Sequence, residues 1–405
     1  MNVVQYINLE KLYYKDENFY EKEYTKRFDA PFTKHFNFSI KQFNRKHSYP
    51  IFLCYTEDIV KILIKIYKHN CNLNEIVEKI PSIAYQQFIR QCLILEVQST
   101  NAIEGVRSTR KEIELAMENN LSSKEKIRLQ GIVSKYMKLL HNEDIHFNSP
   151  KDLRSFYDDF ALSEVLLENP QNKPDGIYFR KSSVEISTGT QKTIHRGLTP
   201  ESEIISSITT ALEILNDESI PELIRLAIFH YLFGYIHPFY DGNGRTARFI
   251  SSYYLSKELN KAIALRLSII IKKDINNYYK MFDETNSELN KGDLTPFVYS
   301  FLLFIARSAE NAEKLLSNKL TQLGNFTKQL TEMDLGDGIK KQIYYILLQA
   351  ALFSGSGATI KDIETTLKKS RVTIQNRIDE IPASHIIINK SKKPYTYKLN
   401  TIILK

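Results

Sequence analysis

The sequence predicts a chain dominated by α-helix, with one β-hairpin in the body and a small helix-and-strand module at the C-terminus. Three observations carry this. Glycine and proline are scarce for 405 residues, 14 and 12, which favours long helices over turn-rich β structure. Apolar residues recur at helical intervals along most of the chain. Alternation shows only loosely in one stretch near Thr188-Gly189 and again in the last twenty or so residues.

Residues 1–48 are rich in Lys, Asn, Tyr and Phe without clean periodicity. Lys11–Lys15 and Phe32–Phe38 read as short strands or loops. Thr56–Lys68 places Ile59, Val60, Ile62, Leu63 and Ile66 at helical spacing, and Asn72–Ile80 continues it. Pro81 suits the start of the next helix, which runs through Tyr85–Gln98 and stops at Gly105. Glu104 then stands at a helix C-terminus, where the dipole disfavours a carboxylate. An arginine from elsewhere would compensate, or water would.

Ser108–Met117 and Ser122–Leu140 read as helices, with Ser122 as a cap. Asn148-Ser-Pro opens another, Lys151–Leu167. Ile177–Ile186 and Gln191–Arg196 alternate around Thr188-Gly189, predicting a hairpin, whether a plain surface feature or a working one. Helices follow at Pro200–Leu215, Pro221–Ile236, Thr246–Lys257, Ala262–Ile271 and Lys273–Leu289. Asp293–Leu315 completes the body, and Leu316–Leu335 reads as a connecting helix. His230, among apolar neighbours, reads as a core histidine.

From Ile339 the character changes. Helices at Ile339–Leu352, Thr359–Leu367 and Arg371–Ile381, the last capped by Ser370, precede two alternating segments around Lys390–Pro394. This order resembles a winged helix-turn-helix. Lys368, Lys369, Arg371, Arg377, Lys392 and Lys393 could meet phosphates, or form a solvated face on a docking module.

The densest chemistry lies in His237-Pro-Phe-Tyr-Asp-Gly-Asn-Gly-Arg-Thr-Ala-Arg248. Gly242-Asn243-Gly244 can turn successive N–H groups inward as an anion nest and opens onto a helix N-terminus. Arg245 and Arg248 can reach phosphate oxygens with paired donors. Asp241 is a hard oxygen ligand suited to Mg²⁺, and His237 can take a proton near neutral pH.

This stretch is similar to the signature of the Fic family, His-x-Phe-x-Asp/Glu-Gly-Asn-Gly-Arg-x-x-Arg, at every position. The resemblance implies a helical fold that transfers AMP from ATP, with Mg²⁺, to a hydroxyl of a target protein or of the chain itself. It implies His237 as general base, Phe239 as loop anchor and Asp241 as metal ligand. Gly242, Asn243 and Gly244 would cradle the α- and β-phosphates. Arg245 would lie on the β-phosphate side and Arg248 on the γ-phosphate. Thr100-x-x-x-Glu104-Gly105 resembles the family's inhibitory motif, in which the glutamate pairs with the second signature arginine, here Arg248. The hairpin resembles the family's flap, with Ile186, Ser187, Thr188 and Gly189 nearest the nucleotide, although Leu198-Thr199-Pro200 stands where consecutive prolines are usual. Tyr278-Tyr279 and Asn286, followed by Gly292-Asp293, resemble an adenine pocket. Packing alone would also explain two adjacent tyrosines.

The expected organisation is an N-terminal extension to residue 80, a core over 81–315, a linker over 316–338 and a winged-helix-like part over 339–405. Charge is +8 with pI about 9.0, a mild lean toward acidic partners. Cys54, Cys71 and Cys92 form no CxxC and read as reduced cytosolic thiols without zinc. The N-terminus lacks a signal-peptide pattern, and Pro296–Ala306 is too short to span a bilayer, so a cytoplasmic protein is expected. An autoinhibited adenylyltransferase is the leading expectation, with a homodimer left open. A nucleic-acid-binding regulator, or an enzyme that removes AMP, stands beside it.

Overall fold

The computed structural model describes residues 6–119, 127–187, 193–391 and 393–404. Thr188 and Gly189 of the expected hairpin turn, the Ser122 cap and Lys392 lie outside the described residues. Helices dominate, with three small sheets. The chain forms two compact units, Met1–Lys68 with Leu95–Ala309, and His69–Ile94 with Glu310–Lys405.

The first unit opens with helices Leu9–Tyr13 and Glu17–Phe28, N-capped by the Asn8 and Asp16 side chains. Lys11–Lys15, read as strand or loop, therefore lies in the first helix and the turn after it. The cap and the burial of Leu9 and Leu12 with Tyr20 outweigh its aromatic composition. Phe32–Phe38 does contribute to a strand, Thr33–Lys41, paired antiparallel with Ser48–Cys54. The second strand also reaches residues 292–294, where Phe52 N–H donates to Gly292 O at 3.1 Å and Leu294 N–H to Phe52 O at 2.9 Å. The Asp293 carboxylate is fully buried, taking Tyr6 Oη–H at 2.6 Å and Thr295 N–H at 2.9 Å. Gly292-Asp293 thus anchors the N-terminal segment and caps the helix starting at Thr295.

The expected helix over 151–167 forms as Pro150–Tyr157 and Ser163–Glu168 joined by a π-helical turn, Asp158–Leu162. Gly131 of the Gln130–Leu140 helix packs there so closely that a Cβ would collide with Asp159 O. The hairpin is shorter than its alternation suggests, Glu185–Ser187 with Thr193–Arg196. Residues 177–179 cannot join the ladder because their N–H groups all donate to the Glu201 carboxylate.

Helices Glu201–Asn216, Glu222–Ile236 and Asn243–Glu258 form the centre of this unit. Nearly every residue of Glu222–Ile236 is buried, so its apolar pattern runs all round. The segment read as one helix over 262–271 breaks into Lys261–Ala264 and Leu267–Lys273, followed by Ile275–Asn286. The stretches read as two successive helices beyond residue 293 form one, Thr295–Glu332.

In the second unit, helices Gly338–Phe353, Ile360–Leu367 and Arg371–Asp379 pack around Ile343, Leu347, Ile363, Ile374 and Ile378. Thr359 and Asp362 form a capping box, and Ser370 caps the last helix as expected. The two predicted strands, Ile386–Asn389 and Thr396–Leu399, gain a third, Ala358–Thr359, on the outer side of Thr396–Leu399.

Candidate functional site

The signature begins where the Glu222–Ile236 helix ends. His237 leaves that helix in a left-handed conformation, φ 52°, ψ 64°, with its N–H still on Phe233 O at 3.0 Å. Its Nδ1 faces Gly234 O at 3.4 Å. With Nδ1–H donating there, Nε2 keeps its lone pair. Burial is the main cause that lowers the imidazole pKa to about 4; His195 and Arg180 push the same way, and the Gly234 carbonyl and Glu104 oppose. The ring is a neutral base at physiological pH.

Phe239 is buried and stacks on Tyr157 with centroids 3.6 Å apart. Tyr157 Oη–H donates to Asp241 O at 3.0 Å. Asn243 closes the loop from the other side: its Oδ1 accepts Phe239 N–H at 3.0 Å and its Nδ2–H donates to Phe239 O at 2.8 Å. These bonds start the helix at Asn243, three residues before the expected Thr246. Gly242, at φ +77°, supplies the left-handed turn, and Tyr157, Val165 and Ala161 leave no slack for a Cβ. Tyr157 lies outside the signature, and nothing in its local pattern marks it.

Two arginines occupy the first turns of this helix, and both are buried. Arg245 Nε, Nη1 and Nη2 have no hydrogen-bond partner among the described residues. The nearest carboxylates are Asp241 at 3.7 Å and Glu168 at 4.0 Å. Arg248 is hydrogen-bonded through Nε and Nη2 instead. Its Nε–H donates to Thr100 Oγ1 at 2.9 Å, and its Nη2–H to Thr100 O at 3.0 Å and Glu104 Oε1 at 2.7 Å. Burial, the largest single influence, would lower the Arg248 pKa, but Glu104 together with Tyr278 and Tyr279 outweighs it and the net shift is upward.

The Ser82–Ile103 helix supplies these partners. Gly105, φ +75°, ends it, with Val106 N–H returning to Asn101 O at 2.9 Å. Glu104 Oε1 sits against Gly244, where a Cβ would collide with it. Thr100, Glu104 and Arg248 are therefore brought together as the sequence expects. A third residue of the same helix face was not singled out. Glu96, eight before Glu104, accepts Ser268 N–H on both carboxylate oxygens at 3.1 Å and is fully buried. The four-residue spacing Glu96, Thr100, Glu104 is the signal that marks it. Burial raises its pKa to about 7.

Tyr278 is buried, with its Oη 2.8 Å from His230 Nε2, while Tyr279 is about half exposed. His230 is a core histidine, its pKa lowered to about 3 by burial and then by Arg248. Asn286 Oδ1 accepts Tyr231 Oη–H at 2.7 Å. Ile186 lies on the first hairpin strand opposite His195, and Ser187 opposite Thr193. A cleft of about 480 Å³ opens beside Glu104 and Gly105, with Arg107, Arg128 and Glu168 on its walls. Among the described residues no cluster of three or more His, Cys, Asp or Glu could hold a metal by itself. No described helix is long and apolar enough to cross a membrane.

Residues 154–255 match the Fic/DOC family. A protein adenylyltransferase Fic of Nematostella vectensis is 34% identical over 109 residues, covering 26% of this chain and 22% of the relative. Another, from Drosophila grimshawi, is 31% identical over 134 residues, covering 32% and 25%. The chain thus spans about a quarter of the length of these curated relatives. Among solved structures, a Fic family protein of Desulfovibrio desulfuricans G20 is 19% identical, covers 85% of this chain and 96% of its own, and has a TM-score of 0.49. Fic-1 of C. elegans (residues 134–508) is 19% identical, covers 65% and 74%, and has a TM-score of 0.43.

Proposed function

We propose, from the premise that this chain belongs to the Fic/DOC family through residues 154–255, that it is a protein adenylyltransferase held in check by its own Glu104. The target hydroxyl oxygen attacks the α-phosphorus of ATP, its proton passes to His237 Nε2, and the bond to the leaving pyrophosphate breaks. A base with a pKa of about 4 is unprotonated and ready at neutral pH.

The observation that carries the reading is Arg245. A fully buried guanidinium whose nitrogens make no hydrogen bond among the described residues, with carboxylates no nearer than 3.7 Å, is costly unless an anion completes it. It lies beside the Gly242–Gly244 turn at a helix N-terminus, where phosphate is favoured. Asp241 suits a Mg²⁺ that takes its remaining ligands from phosphate and water, since no ready-made carboxylate cage is present among the described residues. Such a cation would neutralise phosphate charge. Tyr278, Tyr279 and Asn286 are assigned to the adenine side, with the part-exposed Tyr279 available for stacking. Ile186 and Ser187 are assigned to the flap; Thr188 and Gly189 complete it in the sequence.

The brake reading rests on Glu104, which takes up an Nη2 donor of Arg248 that a γ-phosphate would use. The C-terminal unit is read as winged-helix-like. Its Arg377 is committed to Asp337 at 2.7 Å and Glu380 at 2.5 Å, which favours docking over duplex binding for that face.

The test is transfer of label from ATP carrying ³²P at the α position, with Mg²⁺. Glu104→Gly is expected to label itself or a lysate protein at least about tenfold above wild type, equivalent to about 1.4 kcal/mol. Adding His237→Ala should silence it. A silent Glu104→Gly protein with ATP and with other nucleotides would sink the reading.

A further inference from the structure

The helix that delivers His237 ends without the usual glycine, and the carbonyls of its last turn need outside donors. Residues of the hairpin and its approaches supply them. Tyr235 O lies 2.6 Å from His195 Nε2. Ile236 O accepts Leu198 N–H at 3.1 Å and Arg180 Nη2–H at 3.4 Å. His237 O accepts Arg180 Nε–H at 2.9 Å. The third arm of Arg180 reaches the approach to the hairpin, with Nη1–H on Ser182 O at 2.6 Å.

Arg180 is fully buried, and its hydrogen bonds run to carbonyls rather than to a carboxylate. A buried cation with no counter-charge is a costly way to hold a loop. A cation at a helix C-terminus is nonetheless well placed against the dipole. Gly197, at the exit of the hairpin, confirms how tight the joint is: a Cβ there would collide with Arg180 Nη2 and crowd His237 Cβ. Gly197 N–H also donates to Val184 O at 3.0 Å, so entry and exit of the hairpin meet at this point.

The charged and titratable groups around the His237 ring come from three directions. Arg180 and His195, from the hairpin side, oppose its protonation; Glu104, from the end of the Ser82–Ile103 helix, favours it; the Gly234 carbonyl of its own helix also favours it. Among the described residues, Arg180 is thus the group that both holds the His237 backbone and bears a positive charge against its ring.

We propose that Arg180 is the positioning residue of His237, joining the hairpin to the helix end that carries the base so that the two move as one piece. It caps that helix, fixes the left-handed turn at His237 and adds a positive charge that opposes protonation of the ring alongside burial and His195. The inference rests on the reading of His237 as base, and it predicts that whatever engages the hairpin is felt at the base through Arg180.

The test uses the full chain with Arg180→Met and Arg180→Lys, read by NMR titration of labelled histidines, with His237 assigned by its loss in His237→Gln. In Arg180→Met the His237 pKa is expected to rise by more than half a unit toward the ordinary value; His195, which Arg180 also holds down, should rise with it, and the remaining histidine signals should stay unmoved. Arg180→Lys keeps the cation and should keep the titration. In a Glu104→Gly background, Arg180→Met should slow label transfer about 10- to 100-fold and move the acid limb of the pH profile upward. Arg180→Lys should slow it at least fivefold with the acid limb unmoved. An unchanged His237 titration in Arg180→Met overturns the proposal, as does an unchanged rate in either variant. If Arg180→Met does not fold, Arg180→Lys decides by rate. If the Glu104→Gly parent transfers no label, the adenylyl-transfer reading falls, while the NMR titration still decides the part played by Arg180.

Discussion

Arg245 and Arg248 stand one turn apart on the same helix, equally buried, and differ in everything else. Arg248 has a hydroxyl, a carbonyl and a carboxylate of its own chain. Arg245 has three nitrogens without a hydrogen-bond partner among the described residues, and only long ion pairs to Asp241 and Glu168. Burying a cation is costly in either place, but only one site has its compensation built in. The difference teaches that the two arginines are in different states of readiness. On the proposed function, the Arg245 side is the one with hydrogen-bond donors left for an outside anion. The Arg248 side is already filled by the Ser82–Ile103 helix, so any outside anion there must displace Glu104.

Removing each guanidinium without changing its shape much is the sharpest way to break this comparison. Arg248→Met strips Thr100 and Glu104 of their partner and is expected to destabilise the ligand-free protein by about 2–3 kcal/mol, less than a fully buried pair because Glu104 can reach water. Arg245→Met removes a buried charge that has no hydrogen bond among the described residues and only long ion pairs to the part-exposed Asp241 and Glu168, and should stabilise by about 1–2 kcal/mol. Urea unfolding at neutral pH measures both. Equal destabilisation by the two substitutions would break the distinction. With ATP and Mg²⁺ present, wild type should gain stability by mass action and Arg245→Met should gain little.

How far the sequence revealed this depended on whether the chemistry was local. The loop from His237 to Arg248 was legible because turn, nest and arginines fall within one short stretch. Glu104 was legible as a misfit, a carboxylate at a helix C-terminus that needs a cation, and Arg248 is that cation. Tyr157 and Arg180 were not legible, because their work is to reach carbonyls of residues 84 and 57 positions away. The π-helical turn at Asp158–Leu162 depends on the close approach of Gly131, another distant contact. The start of the chain misled for a related reason. Its helices exist through Asn8 and Asp16 caps and through anchorage of Tyr6 on Asp293, none of which shows in periodicity.

Glu96 allows the finest probe of the filled side, because it lies behind Arg248 on the same helix face as Thr100 and Glu104. Its folded-state pKa of about 7 lies above the ordinary carboxyl value of 4.5. The folded chain therefore holds a proton that the unfolded chain releases between those values. That contribution to stability is complete below about 4.5 and is lost as pH rises through 7, at up to about 1.4 kcal/mol per pH unit. His237 and His230 act the other way. Their lowered pKa values, about 4 and about 3, give stability that is present above the ordinary 6.5 and lost as pH falls through the folded values. Wild type alone would show these slopes partly cancelled between pH 4.5 and 6.5. The difference between wild type and Glu96→Gln isolates the carboxyl: relative to wild type, Glu96→Gln should gain stability steadily from pH 5 to 7. A flat difference would mean that Glu96 holds its Ser268 contacts as a carboxylate throughout, and that the filled side is ionic to its base.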